Sequence, residues 1–252
     1  MRMQLCSWPE VEAYLKNSKA IIMPLGSTEQ HGPTGFIGTD ALCPELIAGA
    51  MAEKIDVMIA PTINVGMAQH HLRFPGSMAL RPSTLIAVIR DMVNSLSQHG
   101  FNRFFFINGH GGNTPTLHAA FAEIYAEKSF RSSGGNEPDV RCELYNWWKI
   151  KSVTDIARKE FGESEGRHAT PSEVALTYYG FPKDAKRVAA IPMSPERAPD
   201  GPIFDADDYR RRFPDGRIGS NPGLANEEIG KRLLAASTEE LLEKYLKFIS
   251  ED

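Results

Sequence analysis

Three short segments carry side chains able to hold a metal ion or move a proton. The first is GSTEQHGPTGFIGTD, Gly26 to Asp40, which gathers Glu29, His31 and Asp40 directly after the apolar run AIIMPL. Imidazole nitrogen and carboxylate oxygen are the usual donors to catalytic Zn²⁺ or Mn²⁺. One carboxylate can also bridge two ions about 3.5–4 Å apart. Glu29 and His31 are two residues apart, so in extended chain they share a face. Gly32, Pro33, Gly35 and Gly38 allow the chain to fold back and return Asp40 to them. An ordinary polar loop, with Asp40 capping the following helix, fits the same residues, and spacing alone does not decide.

The second segment is NGHGGN, Asn108 to Asn113, a histidine among three glycines after another apolar run. Glycine tolerates positive φ and close backbone approach, which a loop presenting His110 to a metal or substrate needs. The Thr114-Pro115 start places a helix N-terminus nearby, where an anion or oxyanion is favoured. A phosphate-binding loop is the competing reading, but neither a P-loop Lys-Ser/Thr nor a G-x-G-x-x-G spacing is present. A tight structural turn is another. The third segment is HATPSE, His168 to Glu173. Thr170, Pro171 and Glu173 form a capping box, which accounts for Thr170 and Glu173 structurally. It leaves His168 unexplained. A histidine beside a helix N-terminus is favoured in its neutral form and suits a general acid/base.

These segments need elements to position them. Ala20–Leu25, Val57–Ile63, Arg103–Ile107 and Val140–Trp148 read as strands, the first three nearly continuous in apolar residues as buried parallel strands are. Val188–Pro192 reads as a weaker fifth. Helical patterns cover Pro44–Lys54, Ser83–Ser97, Thr114–Glu127 and Asn226–Phe248, and a further helix opens at Thr170. Alternation of strand and helix predicts an α/β fold with a mostly parallel sheet and helices on both faces. Ligands of such sheets gather at the carboxyl ends of the strands. The first two segments leave strand ends, so the fold directs both to one edge.

The 252 residues fit one domain, residues 1–252, and the 42% hydrophobic and 24% charged content supports a globular core. A net charge of −4 argues against a nucleic-acid binder. The Arg210–Arg212 cluster, flanked by Asp205, Asp207, Asp208 and Asp215, reads as a solvated mixed-charge loop. Three widely spaced cysteines, Cys6, Cys43 and Cys142, without CxxC spacing fit reduced thiols in a cytoplasmic protein rather than a disulfide framework. The N-terminus lacks a signal-peptide core, and no apolar run approaches a membrane span. The segment from Lys128 to Asp139 reads as an exposed loop. His99 and His118 read as helix residues outside any site.

PLGSTEQHGP…GTD, NGHGGN and HATPSE, in this order, resemble the creatininase (creatinine amidohydrolase) family. FPGS (Phe74–Ser77) and DGRIGSNPGLANEEIG (Asp215–Gly230) extend the resemblance from about residue 8 to about residue 247. It implies a three-layer α/β/α metallohydrolase that cleaves amide C–N bonds at two divalent ions, zinc and/or manganese with iron as a further option. By matching position, Glu29 and His110 would hold one ion, His31 the other, and Asp40 both. Creatininase carries a ligand glutamate two residues after the histidine of the second motif, where this chain has Gly112. That departure puts true creatininase activity in doubt and leaves one ion a ligand short, a gap Glu173 would fill. His168 matches the catalytic histidine. Trp147 or Trp148 matches an aromatic residue near the substrate, with core packing as the alternative. Of His70 and His71, one would line the pocket mouth. The resemblance further implies a small-molecule amide substrate and a homo-oligomer, with a hexamer among the forms. A non-catalytic phosphate- or nucleotide-binding module, or an inactive member of the family, is the competing reading.

Overall fold

The structure, a computed structural model, describes residues 1–130, 139–194 and 196–250. Most of the expected loop between Lys128 and Asp139, residues 131–138, lies outside the described residues. Strands β1 (Ala20–Leu25), β2 (Met58–Ile59), β3 (Arg103–Asn108) and β4 (Arg141–Asn146) form one parallel sheet in the order β2-β1-β3-β4. The helices are α1 (Trp8–Tyr14), α2 (Thr39–Ala52), α3 (Pro82–Gln98), α4 (Asn113–Ser129) and α5 (Lys151–Glu160). They continue with α6 (Pro171–Gly180), α7 (Pro182–Val188), α8 (Ala206–Arg212) and α9 (Glu227–Ser250). No described helix is long and apolar enough to cross a membrane.

The layers follow from the period-two alternation of strand side chains. Ile21, Met23, Phe104 and Phe106 pack against Leu85, Ile89 and Leu117 of α3 and α4. Ile22, Phe105 and Ile107, one residue out of step, pack against Ile47, Leu176, Leu233 and Tyr245 of α2, α6 and α9. Both faces of the two central strands are therefore covered, which explains why β1 and β3 read as unbroken apolar runs. The result is the three-layer α/β/α arrangement with a parallel sheet.

Some boundaries differ from expectation for identifiable reasons. β2 is confined to two residues; Pro61 has no N–H for the ladder, and pairing resumes only as an isolated bridge between Ile63 and Leu25. Val188–Pro192 is not a strand: Pro182 opens α7, which runs through Val188. Arg210–Arg212 belong to a helix rather than a loop. Asp205 caps it by accepting from Asp208 N at 2.8 Å. Aspartates fill its first turn and arginines its last, as the helix dipole favours.

What matters for function is the register. Leu25 pairs with Asn108, and Asn108 with Asn146, so β1, β3 and β4 end at one level. α2 starts at Thr39, five residues earlier than its sequence pattern, and brings Asp40 to that level. Its main chain presses against the strand-end glycines: a side chain at Gly26 or Gly109 would overlap the Asp40 carbonyl. These two positions need glycine for close approach rather than for φ.

Candidate metal centre

The loop after β1 closes on itself where Glu29 N donates to Ile37 O at 2.8 Å and Gly35 N to His31 O at 3.1 Å. That fold returns Asp40 to Glu29 and His31. β3 delivers His110, its loop braced by the Asn108 side chain, which donates to His110 O at 2.7 Å. The segment before α6 delivers His168 and Glu173. The late glycine-rich segment holds His168 by its main-chain carbonyl. Ile218 N donates to its carbonyl at 3.3 Å and Ser220 Oγ at 2.6 Å. Ala169, the next residue, takes φ 55°, a left-handed turn that swings the chain into the helix cap.

Three overlapping groups result, in each of which the donor atoms lie within 4.8 Å of one another: Glu29-Asp40-His110, His31-Asp40-Glu173 and Glu29-His31-His168. His110 Nδ1 stands 3.2 Å from Glu29 Oε1 and 3.0 Å from Asp40 Oδ2. His31 Nε2 stands 3.1 Å from Asp40 Oδ1 and 3.9 Å from Glu173 Oε1. Asp40 thus faces both imidazoles, one with each oxygen. His168 Nδ1 lies 3.8 Å from Glu29 Oε1.

The outward nitrogen of each ring is held by a main-chain carbonyl. His31 Nδ1 donates to Glu29 O at 3.0 Å, His110 Nε2 to Met67 O at 2.9 Å, and His168 Nε2 to Gln30 O at 2.7 Å. With the proton on that nitrogen, the inward one keeps its lone pair, the arrangement metal-ligating histidines usually show. The carboxylates complement it. Both Glu29 oxygens and Asp40 Oδ2 are buried and accept no well-directed hydrogen bond. Buried acceptors left in that state are costly unless a cation completes them. The donor set therefore fits divalent ions.

Charges in the cluster point the same way. Burial alone would lower the His31 pKa, but Asp40 and then Glu173 raise it to about 10. Burial likewise opposes, and Glu29 and Asp40 overcome it, for His110, raised well above the usual value. Glu29 is held well below the carboxylate range despite its burial, by His110 and His71. Glu173 is pushed up to about 7 by burial, which the Asp40 charge reinforces and His31 opposes. The carboxylates draw positive charge into the site, as protons when nothing else supplies it. His168 goes the other way: burial, then His71 and His31, hold it well below the ordinary histidine value, so it is neutral.

Glu173 serves two structural relations at once. Its Oε1 accepts from Thr170 N at 2.6 Å and its own N donates to Thr170 Oγ1 at 3.3 Å, closing the capping box. A carboxylate offers about four lone-pair sites, so the cap and membership of the His31-Asp40 group are compatible. Gly112 admits no side chain: a Cβ there would stand 2.5 Å from His110 Nε2 and 2.7 Å from Met67 O.

The cluster opens into a cavity of about 730 Å³, lined among others by His70, Trp148, Arg158 and Glu165. Of the two expected aromatic positions, Trp148 faces this cavity. The expectation for Trp147 is corrected: it is 1% exposed and packs in the core with Phe105 and Val153, because the chain turns from β4 into a 3-10 helix at that residue. His70 lines the cavity; burial and the neighbouring His71 lower its pKa to about 4. The sequence pairs His71 with His70 as a candidate for the pocket mouth or a loop hydrogen bond, without linking it to Glu29, from whose Oε1 its Nε2 lies 3.0 Å; Gln30 and Tyr209 behind it were not singled out. The Gln between Glu29 and His31 was the available signal, since alternation aims it away from them, into the protein.

A family profile described as creatininase, creatinine amidohydrolase, matches residues 4–245. The creatinine amidohydrolase of Pseudomonas putida is 25% identical over 240 residues, 90% of this chain and 89% of its own. The 3-dehydro-scyllo-inosose hydrolase of Thermotoga maritima is 25% identical over 246 residues, 93% of this chain and 76% of its own. A solved structure described as "Creatininase Mn" superposes with TM-score 0.83 at 20% identity, covering 99% of both chains.

Proposed function

The chain belongs to the creatininase family, and on that premise we propose that it is a metal-dependent amidohydrolase cleaving a C–N bond of a small cyclic amide, formamide or related amide. The observation that carries the reading is the pairing of rings and carboxylates. Three imidazoles each spend one nitrogen on a main-chain carbonyl; His110 and His168 turn the other toward oxygens of Glu29 and Asp40 that accept no directed hydrogen bond, and His31 turns it toward Asp40 Oδ1. Glu29, Asp40 and His110 would hold one ion and His31, Asp40 and Glu173 the other, with Asp40 shared. Zinc and manganese suit this nitrogen–oxygen set, and iron is compatible with it. Ions held there supply an activated water at neutral pH and polarise an amide carbonyl.

The remaining steps fall to side chains. Neutral His168 accepts a proton at Nδ1, the nitrogen left free by the Gln30 carbonyl, and returns it to the leaving nitrogen. Trp148 and His70 flank the space where the amide sits. Gly111 leaves the floor open beside Trp148, since even a Cβ there would only touch the ring at 3.8 Å. Gly112 removes the glutamate that creatininase carries, so a formamide is as good a candidate as creatinine. A phosphate-binding module is disfavoured by three carboxylates facing the same space. A screen of cyclic amides, formamides and short peptides with metal-loaded protein tests the reading. We expect turnover of at least one class and its loss in His168→Asn; turnover that survives this change would refute the assigned role.

A further inference from the structure

Five histidines crowd the site, and four of them have ring nitrogens whose partners are defined; three of these face main-chain carbonyls. The fourth, His71, is different. It is buried to 1% exposure, its ring centroid 4.5 Å from that of His168. Its Nδ1 lies 2.9 Å from the side-chain nitrogen of Gln30. The Gln30 amide cannot be turned round, because its Oε1 accepts from Gly32 N at 2.8 Å and its Nε2 donates to Gly216 O at 2.9 Å. Tyr209 reinforces this orientation: its hydroxyl spends its own proton on Gly216 O at 2.7 Å and faces Gln30 Nε2 as an acceptor at 3.1 Å. His168 Nε2, also 3.0 Å from Gln30 Nε2, uses its proton on the Gln30 main-chain carbonyl. A primary amide has two hydrogens; Gly216 O and the Tyr209 hydroxyl, themselves 2.7 Å apart, share one of them, which leaves the other for His71 Nδ1.

The structure assigns Gln30 and His71 as a positioning pair for Glu29. The Gln30 N–H makes His71 Nδ1 an acceptor, which places the ring proton on Nε2, 3.0 Å from Glu29 Oε1. The contact is off the line of a straight hydrogen bond, so the N–H dipole rather than a full bond steadies the carboxylate. His71 is thereby a donor to a proposed metal ligand and is not a ligand itself. Partners that orient ligating carboxylates are commonly as important as the ligands. Gln30 packs without slack, since any side chain at Gly216, at φ 87°, would overlap its amide. The assignment of a role to Glu29 rests on the proposed metal reading; the ring tautomer does not.

The test is long-range ¹H–¹⁵N correlation of histidine-labelled, zinc-loaded protein, with the His71 signal identified by its loss in His71→Gln. The expected pattern is a neutral ring protonated at Nε2. A ring protonated at Nδ1, at both nitrogens, or showing a zinc-bound nitrogen would overturn the proposal. In Gln30→Glu, which keeps the shape and removes the donor, the ring should switch to the Nδ1–H form. Zinc affinity, read by chelator competition, should then fall about 10–100-fold. An unchanged tautomer with only a lower melting temperature would reduce Gln30 to a packing role and refute the pair. Absence of zinc binding in the wild type would refute the metal reading, while the tautomer signal would still decide between donor and acceptor at His71.

Discussion

Two clusters of carboxylates among the described residues behave in opposite ways. Along the groove between α5 and α9, Asp155, Glu239, Glu240 and Glu243 stand with Lys151 and Lys244. Their demands are met locally: Lys151 pairs with Asp155, Lys244 lies 3.5 Å from Glu240, and Glu240 accepts from Lys151 N at 3.2 Å and Ser152 N at 2.7 Å. At the strand ends, Glu29 and Asp40 are buried, their ion-pair partners are imidazoles, and three of their four oxygens have no directed donor. Acidic residues in proximity are therefore not the signal. The signal is acceptor capacity left unmet in a dry place, beside rings whose other nitrogen is already tied down.

Five substitutions break or sharpen that contrast. Asp40→Ala removes the carboxylate shared by both groups; metal affinity, read by chelator competition, should fall by more than about 100-fold, beyond the range expected of an outer-shell change. Gly112→Ala puts a Cβ against His110 Nε2 and Met67 O. Denaturant unfolding should show a loss of about 1–3 kcal/mol, with weaker metal binding because His110 must move. Glu173→Gln keeps a side chain able to complete a capping box but removes the charge. It should weaken metal binding by at least about tenfold, the least that loss of even a supporting partner costs, and shift stability by less than about 1 kcal/mol.

The smallest effect belongs to the groove. Glu240→Ala removes the cap on α5 and should cost about 1 kcal/mol with no change in metal content. Burial alone would raise the Glu240 pKa, but the Ser152 and Lys151 N–H groups lower it. A folded-state value below the unfolded one means stability present above the unfolded pKa and lost as pH falls through the folded one. Glu240→Gln should flatten that acid limb slightly in pH-dependent unfolding. A groove substitution that emptied the protein of metal would reverse the contrast between the two regions.

Much of this was legible from local rules. Continuous apolar runs marked β1 and β3, and the Thr170-Pro171-Glu173 box marked the start of α6. Glycine-rich loops after those strands marked Glu29, His31, Asp40 and His110, which the fold does bring together with His168 and Glu173. What escaped depends on contacts made far along the chain. Trp147 and Trp148 differ by one residue, and only the turn out of β4 decides which faces the core. Gln30 meets His71, Tyr209 and Gly216, partners 41 to 186 residues away, and no spacing rule announces them. Arg210–Arg212 looked like a solvated charge run until Tyr209, buried beneath them, anchored a helix.

The central claim is that the unmet acceptors at the strand ends are a binding site for divalent ions, and metal stoichiometry tests it most directly. Protein stripped by chelator, reloaded with Zn²⁺ or Mn²⁺ and freed of excess should carry about two ions per chain, as a site with one shared carboxylate allows, and Asp40→Ala should carry none. A wild-type protein that retains no metal after loading, or an Asp40→Ala variant that retains its full complement, would contradict the account.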